Sequence, residues 1–222
     1  HNGNQSDQTI EFLTKYLDNG GTNSQALFLW VGSIYEYKKD FELALAATRR
    51  AMTINPNEQN YRQIELNCLI ELKRYQEAAD NLQGTIAKNP KDTETLYLLG
   101  ALNEELGKPD QAKEYMKKAL EADPKFMKAA IAIARYGNRG FVDVKSQMDQ
   151  LDYKKDRVKL EQLDKLYVEK LREAAAGWES CEKLDPKERE VLENLELIYG
   201  RLDDKAKLAP IQAKMKAYGY YE

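Results

Sequence analysis

Apolar residues return every three or four positions over stretches of about 14 residues, and short polar breaks separate the stretches. That period is the signature of amphipathic α-helices. Thr9 to Asp18, with Ile10, Leu13 and Leu17 on one face, predicts a leading helix that Gly20-Gly21 ends. Further on, the breaks fall at Asn55-Pro56, Asn89-Pro90, Asp123-Pro124 and Asp185-Pro186. Proline lacks a backbone donor and drives its predecessor out of the helical region, so each pair closes one helix and is tolerated at the start of the next. Pro56, Pro90 and Pro124 stand 34 residues apart, a spacing that predicts stacked helical hairpins. Asp185, with Glu188 three residues on, predicts a capping pair for the helix that follows.

With Pro56 placed at position 32 of a repeat, the first unit starts at Gln25 and puts Phe28, Val31, Gly32, Tyr35, Ala44 and Ala51 at positions 4, 7, 8, 11, 20 and 27. The third unit matches with Leu96, Leu99, Gly100, Ala112 and Ala119, while Gly107 ends its first helix and Pro109 opens its second. This pattern resembles the tetratricopeptide repeat. Small residues at 8, 20 and 27 are expected to let paired helices approach, and large ones at 4, 7, 11 and 24 to fill between them. The second unit, Gln59 to Asp92, fits only if its first helix is turned by about one residue, which brings Tyr61, Ile64 and Cys68 inward. In the fifth, Leu192, Leu195 and Tyr199 fall in place, and Pro210 predicts a kink or a late helix start.

Pro186 follows Pro124 by 62 residues, 28 more than one repeat needs. The excess keeps helical spacing: Ala130, Ala134, Gly137, Phe141, Val144, Met148 and Leu151 on one arm, Leu160, Leu163, Tyr167, Leu171, Ala174, Trp178 and Cys181 on the other. A lengthened antiparallel hairpin is expected, with about 14 extra residues per arm and a turn near Asp152 to Lys155. Gly137 and Gly140 are candidates for a close crossing or a bend. The fold expected is therefore all-α, an α-α superhelix with an elongated fourth helical hairpin. Its parts are an N-terminal helix or cap over 1–24, three repeats over 25–126, the long hairpin over 127–188, and a fifth repeat with a C-terminal cap over 189–222.

Composition narrows the function. A net charge of -3 gives no footprint for nucleic acid, which is not expected as a partner. His1 is the sole histidine and the two cysteines, Cys68 and Cys181, are far apart, so no metal, cofactor or disulfide is expected and catalysis has little support. The cysteines and Trp178 read as core. Acid pairs such as Glu104-Glu105 are splayed neighbours on helix surfaces. No run is long and apolar enough for an integral membrane segment.

The resemblance implies a non-enzymatic scaffold that binds a protein or peptide along a concave groove lined by the first helix of each unit. Candidate groove residues are Tyr37, Asn60, Gln63, Asn67, Tyr97, Lys128 and Arg135, within a face that runs from amides through an acidic middle to a basic far end. Amides can hold a peptide backbone from both sides, and tyrosine offers apolar area with a polar tip. The carboxylate clamp by which some members hold acidic chaperone tails is absent: Leu29, Ser33, Ile64, Glu94 and Leu98 stand at its places. The alternative is a glycan-binding accessory of an envelope uptake system, stacking sugars on Tyr37, Tyr97 and Trp30. Trp30 is expected either at the groove edge or over the N-terminal helix. The projecting hairpin is a second possible binding surface. The stretch Ala174 to Asp204 is similar to the last units of exported repeat proteins of the Bacteroidetes, which implies a periplasmic or cell-envelope location, with the cytoplasm as the alternative. A start at HNGNQ rather than Met fits a trimmed chain or an exported product.

Overall fold

The computed structural model describes residues 2–221, and among them every regular element is helical. In chain order they are α1 (Asn2–Asp18), α2 (Ser24–Ser33), a π-helical turn (Ile34–Lys38), α3 (Phe41–Ile54), α4 (Gln59–Glu71), α5 (Tyr75–Lys88), α6 (Thr93–Glu105), α7 (Pro109–Ala122), α8 (Met127–Asp149), α9 (Arg157–Leu184), α10 (Arg189–Arg201) and α11 (Lys205–Ala217). They gather into two compact units. Helices α1 to α5, with the turn Glu105–Gly107, make the first; α6 up to Glu104 and α7 to α11 make the second.

Four of the hairpins are closed by the same device, the long one between α8 and α9 being the exception. Lys39, Lys73, Gly107 and Asp203 all adopt left-handed φ between 51° and 69°, and the first three recur at the repeat spacing. Behind two of them the next helix is capped by a side chain: Asp40 accepts the N–H of Leu43 at 3.0 Å and Asp204 that of Lys207 at 3.1 Å, whereas Lys108, behind Gly107, makes no such bond. The proline breaks behave differently. Asp123 and Asp185 each C-cap the helix before them, and their carboxylates accept the N–H two residues on, from Lys125 at 2.9 Å and Lys187 at 2.8 Å. Asp185 and Glu188 therefore do not form the expected capping box. Helix α10 begins at Arg189, three residues later than a cap at Asp185 requires, and Glu188 stands at its N-cap without a side-chain bond.

In the first unit α1 packs on α2, with Ile10, Leu13 and Leu17 buried. This cover turns α2 away from the expected rotation. Leu27, Trp30, Val31 and Ile34 are buried, while Phe28, expected in the core, is 44% exposed. Trp30 belongs to the covered face, not to the groove edge: its indole N–H donates to Thr14 Oγ1 at 2.9 Å. Gly32 has no neighbour that a Cβ would meet, so the close approach expected there occurs only in the third repeat, where Gly100 lies against Met116 and the Ala112 carbonyl. Helix α4 is turned as its second register predicts, with Tyr61 and Cys68 wholly buried and Ile64 half-buried. Leu66 and Leu69 are buried too, so α4 uses both faces, against α3 and α5.

The second unit is built on the long hairpin. Ala134, Phe141, Leu171, Ala174, Trp178 and Cys181 join Leu192, Leu195, Tyr199, Ile211 and Met215 in one core. Gly137 lies where an added Cβ would be 3.3 Å from the Ala174 Cα, and Gly177 faces Ala134, so small residues set the close crossing of α8 and α9. The two helices are unequal, 23 and 28 residues, with the turn at 150–156 taking the rest of the expected even extension. Burial pushes both thiols, Cys68 and Cys181, up to about 11. Helix α11 starts at Lys205 and runs through Pro210, so the late start does not occur. Pro210 and Ala206 are exposed, which leaves the carbonyl deprived of its donor open to water.

Candidate functional site

The first helices of the repeats carry the candidate residues, and each unit presents its own set. In the first unit the exposed side of α2 and its π turn offers Leu29 at 58% exposure and Tyr37 at 68%. Leu29 and Phe28 line a cleft of about 450 Å³ with Ser24, Gln25, Glu58 and Asn60. Asn60 is thus the amide that α4 contributes to an apolar hollow opened by α2. One turn along, Gln63 Nε2 donates to Asn67 Oδ1 at 2.9 Å, and the Asn67 side chain also hydrogen-bonds the Tyr35 hydroxyl, which leaves the carbonyl of Gln63 outside these bonds. Glu36 and Glu71 both act on the Tyr35 phenol, whose pKa is raised first by burial and then by these neighbouring charges. Among the described residues, Glu36, Glu58 and Glu71 are held in no ion pair, whereas Glu65 and Glu77 are bound by Arg49.

The second unit presents a face already engaged with itself. Tyr97 packs edge-on to Phe126 at 5.8 Å, and Lys128 lies 5.9 Å from the Tyr97 ring while pairing with Glu94 at 3.2 Å. Arg135 grips Glu190 through two hydrogen bonds of 2.6 Å, and this contact raises the guanidinium pKa. Arg139 bonds Glu104 at 2.7 Å and stacks on Tyr136. Each cation of the far end is therefore matched by a carboxylate from a neighbouring repeat. These pairs are more than half exposed on the basic side and contribute at most about 1 kcal/mol each. Below them Trp178 Nε1 donates to Asn138 Oδ1 at 2.8 Å, and Asn138 Nδ2 to Asn194 Oδ1 at 2.7 Å, a chain that locks α8, α9 and α10 together.

The structure thus brings Asn60 to the cleft, joins Gln63 to Asn67 and Tyr97 to Lys128, and holds Arg135 in an ion pair. Phe28, Ser24, Gln25 and Glu58 were missed as lining residues. Phe28 was hidden because its repeat position normally faces inward. Among the described residues no cluster of His, Cys, Asp or Glu is arranged to hold a metal, and no helix is long and apolar enough to cross a membrane.

Comparison with known proteins agrees with this architecture. Tetratricopeptide-repeat family profiles match residues 69–135 and residues 26–58. No curated protein matches the chain in sequence. Among solved structures, MamA is similar with a TM-score of 0.57 at 14% identity, over 90% of this chain and 96% of that one. YrrB, a tetratricopeptide protein with an unusual peptide-binding site, gives 0.52 at 16% identity over 92% and 91%. A tetratricopeptide repeat protein from Parabacteroides merdae gives 0.53 at 15% identity over 96% and 79%.

Proposed function

Because this chain is a tetratricopeptide-repeat protein, we propose that it is a non-enzymatic scaffold that holds an extended peptide segment of a protein partner on the exposed face of its first unit. The observation that carries this reading is an open apolar cleft at Phe28 and Leu29 that Glu58 and Asn60 also line, on the unit whose exposed helices carry the amides Gln63 and Asn67 and, at Glu36 and Glu71, carboxylates held in no ion pair. An aliphatic or aromatic side chain enters the cleft, the amides bond the peptide backbone, and lysine or arginine side chains meet the carboxylates. Lys128 and Arg135 serve a different role in this scheme. Their ion pairs hold neighbouring repeats, and a ligand carboxylate has to displace Glu94 or Glu190 to reach them.

The glycan alternative retains one open ring, Tyr37, but loses Trp30 to the interior, and Tyr97 is half-buried against Phe126. A periplasmic or envelope location is part of the proposal and rests on the similarity of the C-terminal third to exported repeat proteins. Fractionation of the source cells tests that location separately.

The binding test uses fluorescence polarisation with two matched labelled peptides, one alternating apolar and basic residues, the other apolar and acidic. The basic peptide should bind, with Leu29→Asp weakening it about tenfold or more, equivalent to a loss above about 1.4 kcal/mol. Equal binding of the acidic peptide, or an unchanged affinity in Leu29→Asp, overturns the reading.

A further inference from the structure

The long hairpin ends in a surface unlike the rest of the second unit. Tyr153, at 84% exposure, and Val158, at 71%, are the two most exposed large apolar side chains of the described residues, and they flank one turn. Around them stand Lys154, Lys155, Arg157 and Lys159. Charges over 143–165 balance, six acids against six bases, but their placement does not. Lys145 is paired with Asp149 at 2.5 Å, and Arg157 lies 3.2 Å from Glu161, whereas Lys154, Lys155 and Lys159 have no ion pair among the described residues. The two acids at the tip face the turn itself. Asp152 Oδ1 accepts the N–H groups of Lys154 at 2.8 Å and Lys155 at 3.1 Å, and Asp156 Oδ2 accepts the N–H of Asp152 at 3.0 Å. These bonds fix the turn so that its lysines and its tyrosine point away from it.

We infer that this tip docks on an anionic lipid surface. One observation favours lipid over an acidic protein. The tip is a single convex turn of seven residues, 150–156, with one following helical turn, and it cannot supply the roughly 800 Å² per partner that a stable protein interface needs. A bilayer interface asks for less: an aromatic ring with a polar end at headgroup depth, an aliphatic side chain beneath it, and ammonium groups at the phosphates. The chain as a whole carries -3, so attraction to an anionic surface has to be local. Helix α8 exceeds the 13 residues of α6 by about ten, which sets the tip roughly 15 Å beyond an ordinary hairpin end, more than one Debye length at physiological salt. The stem is rigid enough to hold it there, because Phe141, Val144 and Leu163 are buried along the seam.

This contact lies in the second unit and is independent of the peptide face proposed for the first. The test is co-sedimentation of the full chain with vesicles of phosphatidylcholine alone and with about one-third phosphatidylserine. Binding is expected only to the anionic vesicles and should weaken as salt rises. Lys154→Ala with Lys155→Ala should lower the partition coefficient roughly 30-fold, at about fivefold per basic residue. In a Tyr153→Trp chain the emission should shift to the blue on vesicle addition, whereas Trp178 and Trp30 are buried and give no such change. Retained circular dichroism in each variant separates loss of binding from loss of fold. Absence of binding to the anionic vesicles, equal binding by the double-alanine variant, or capture of soluble polyglutamate in place of vesicles overturns the inference.

Discussion

At the scale of single residues, the hairpin turns show how one backbone requirement recurs with different side chains. Gly107 meets the left-handed geometry at no steric cost, but Lys39 and Lys73 take φ of 54° and 57° at equivalent places. An L-residue held there loses about 1 kcal/mol or more, because its Cβ crowds the following carbonyl oxygen. Both lysines are exposed, so neither returns that energy through packing. Lys73→Gly should therefore stabilise the chain by about 0.5 to 1 kcal/mol, the steric relief outweighing the extra freedom glycine gives the unfolded state. A rise in the urea midpoint at constant slope checks it, and a fall shows that Lys73 makes a contact worth more than the strain. Gly107 was legible as a helix end because glycine announces itself. The lysines were not, because nothing in a lysine signals positive φ.

At the scale of the helix, α8 and α9 separate two uses of glycine. Gly137 lies so near the Ala174 backbone that a branched side chain has no room, while Gly32, in α2, faces open space. Gly137→Val should force the helices apart and lower stability by about 1 to 3 kcal/mol, as overpacking does in other tight cores. Gly32→Ala, the control, should raise stability by up to about 1 kcal/mol through helix propensity alone. Paired denaturation curves decide between them: a Gly137→Val chain as stable as the parent means that the crossing is loose. Element boundaries were readable from the prolines and from apolar spacing, since both act locally. Rotation was not. The face that α2 buries depends on α1, whose Ile10, Leu13 and Leu17 needed somewhere to pack, and repeat position alone could not supply that. The candidate site was half legible for the same reason. Exposed amides could be placed by register, but the partners of Lys128 and Arg135 lie 34 and 55 residues away, and Phe28 became a lining residue only because α2 was turned.

At the scale of the whole molecule, each unit has a core of its own. The second is centred on Trp178, fully buried and tied through its indole N–H to Asn138 and onward to Asn194. Truncating it to alanine removes a large buried ring and leaves the Asn138 carbonyl without its donor, a loss of about 3 to 5 kcal/mol. In a repeat array stability is close to a sum over units and their nearest neighbours, so such a loss should act where the residue sits. Hydrogen exchange on Trp178→Ala should show amides of α8 to α11 losing protection by two to three orders of magnitude, roughly the exponent of that energy. The amides of α3 and α4, in the first unit, should change far less. If protection falls equally in both units, folding is one cooperative event and the peptide face of the first unit is no more stable than the stem of the long hairpin. A localised loss means the opposite: the two proposed contacts can be disabled one at a time, which is what assigning a binding partner to each of them requires.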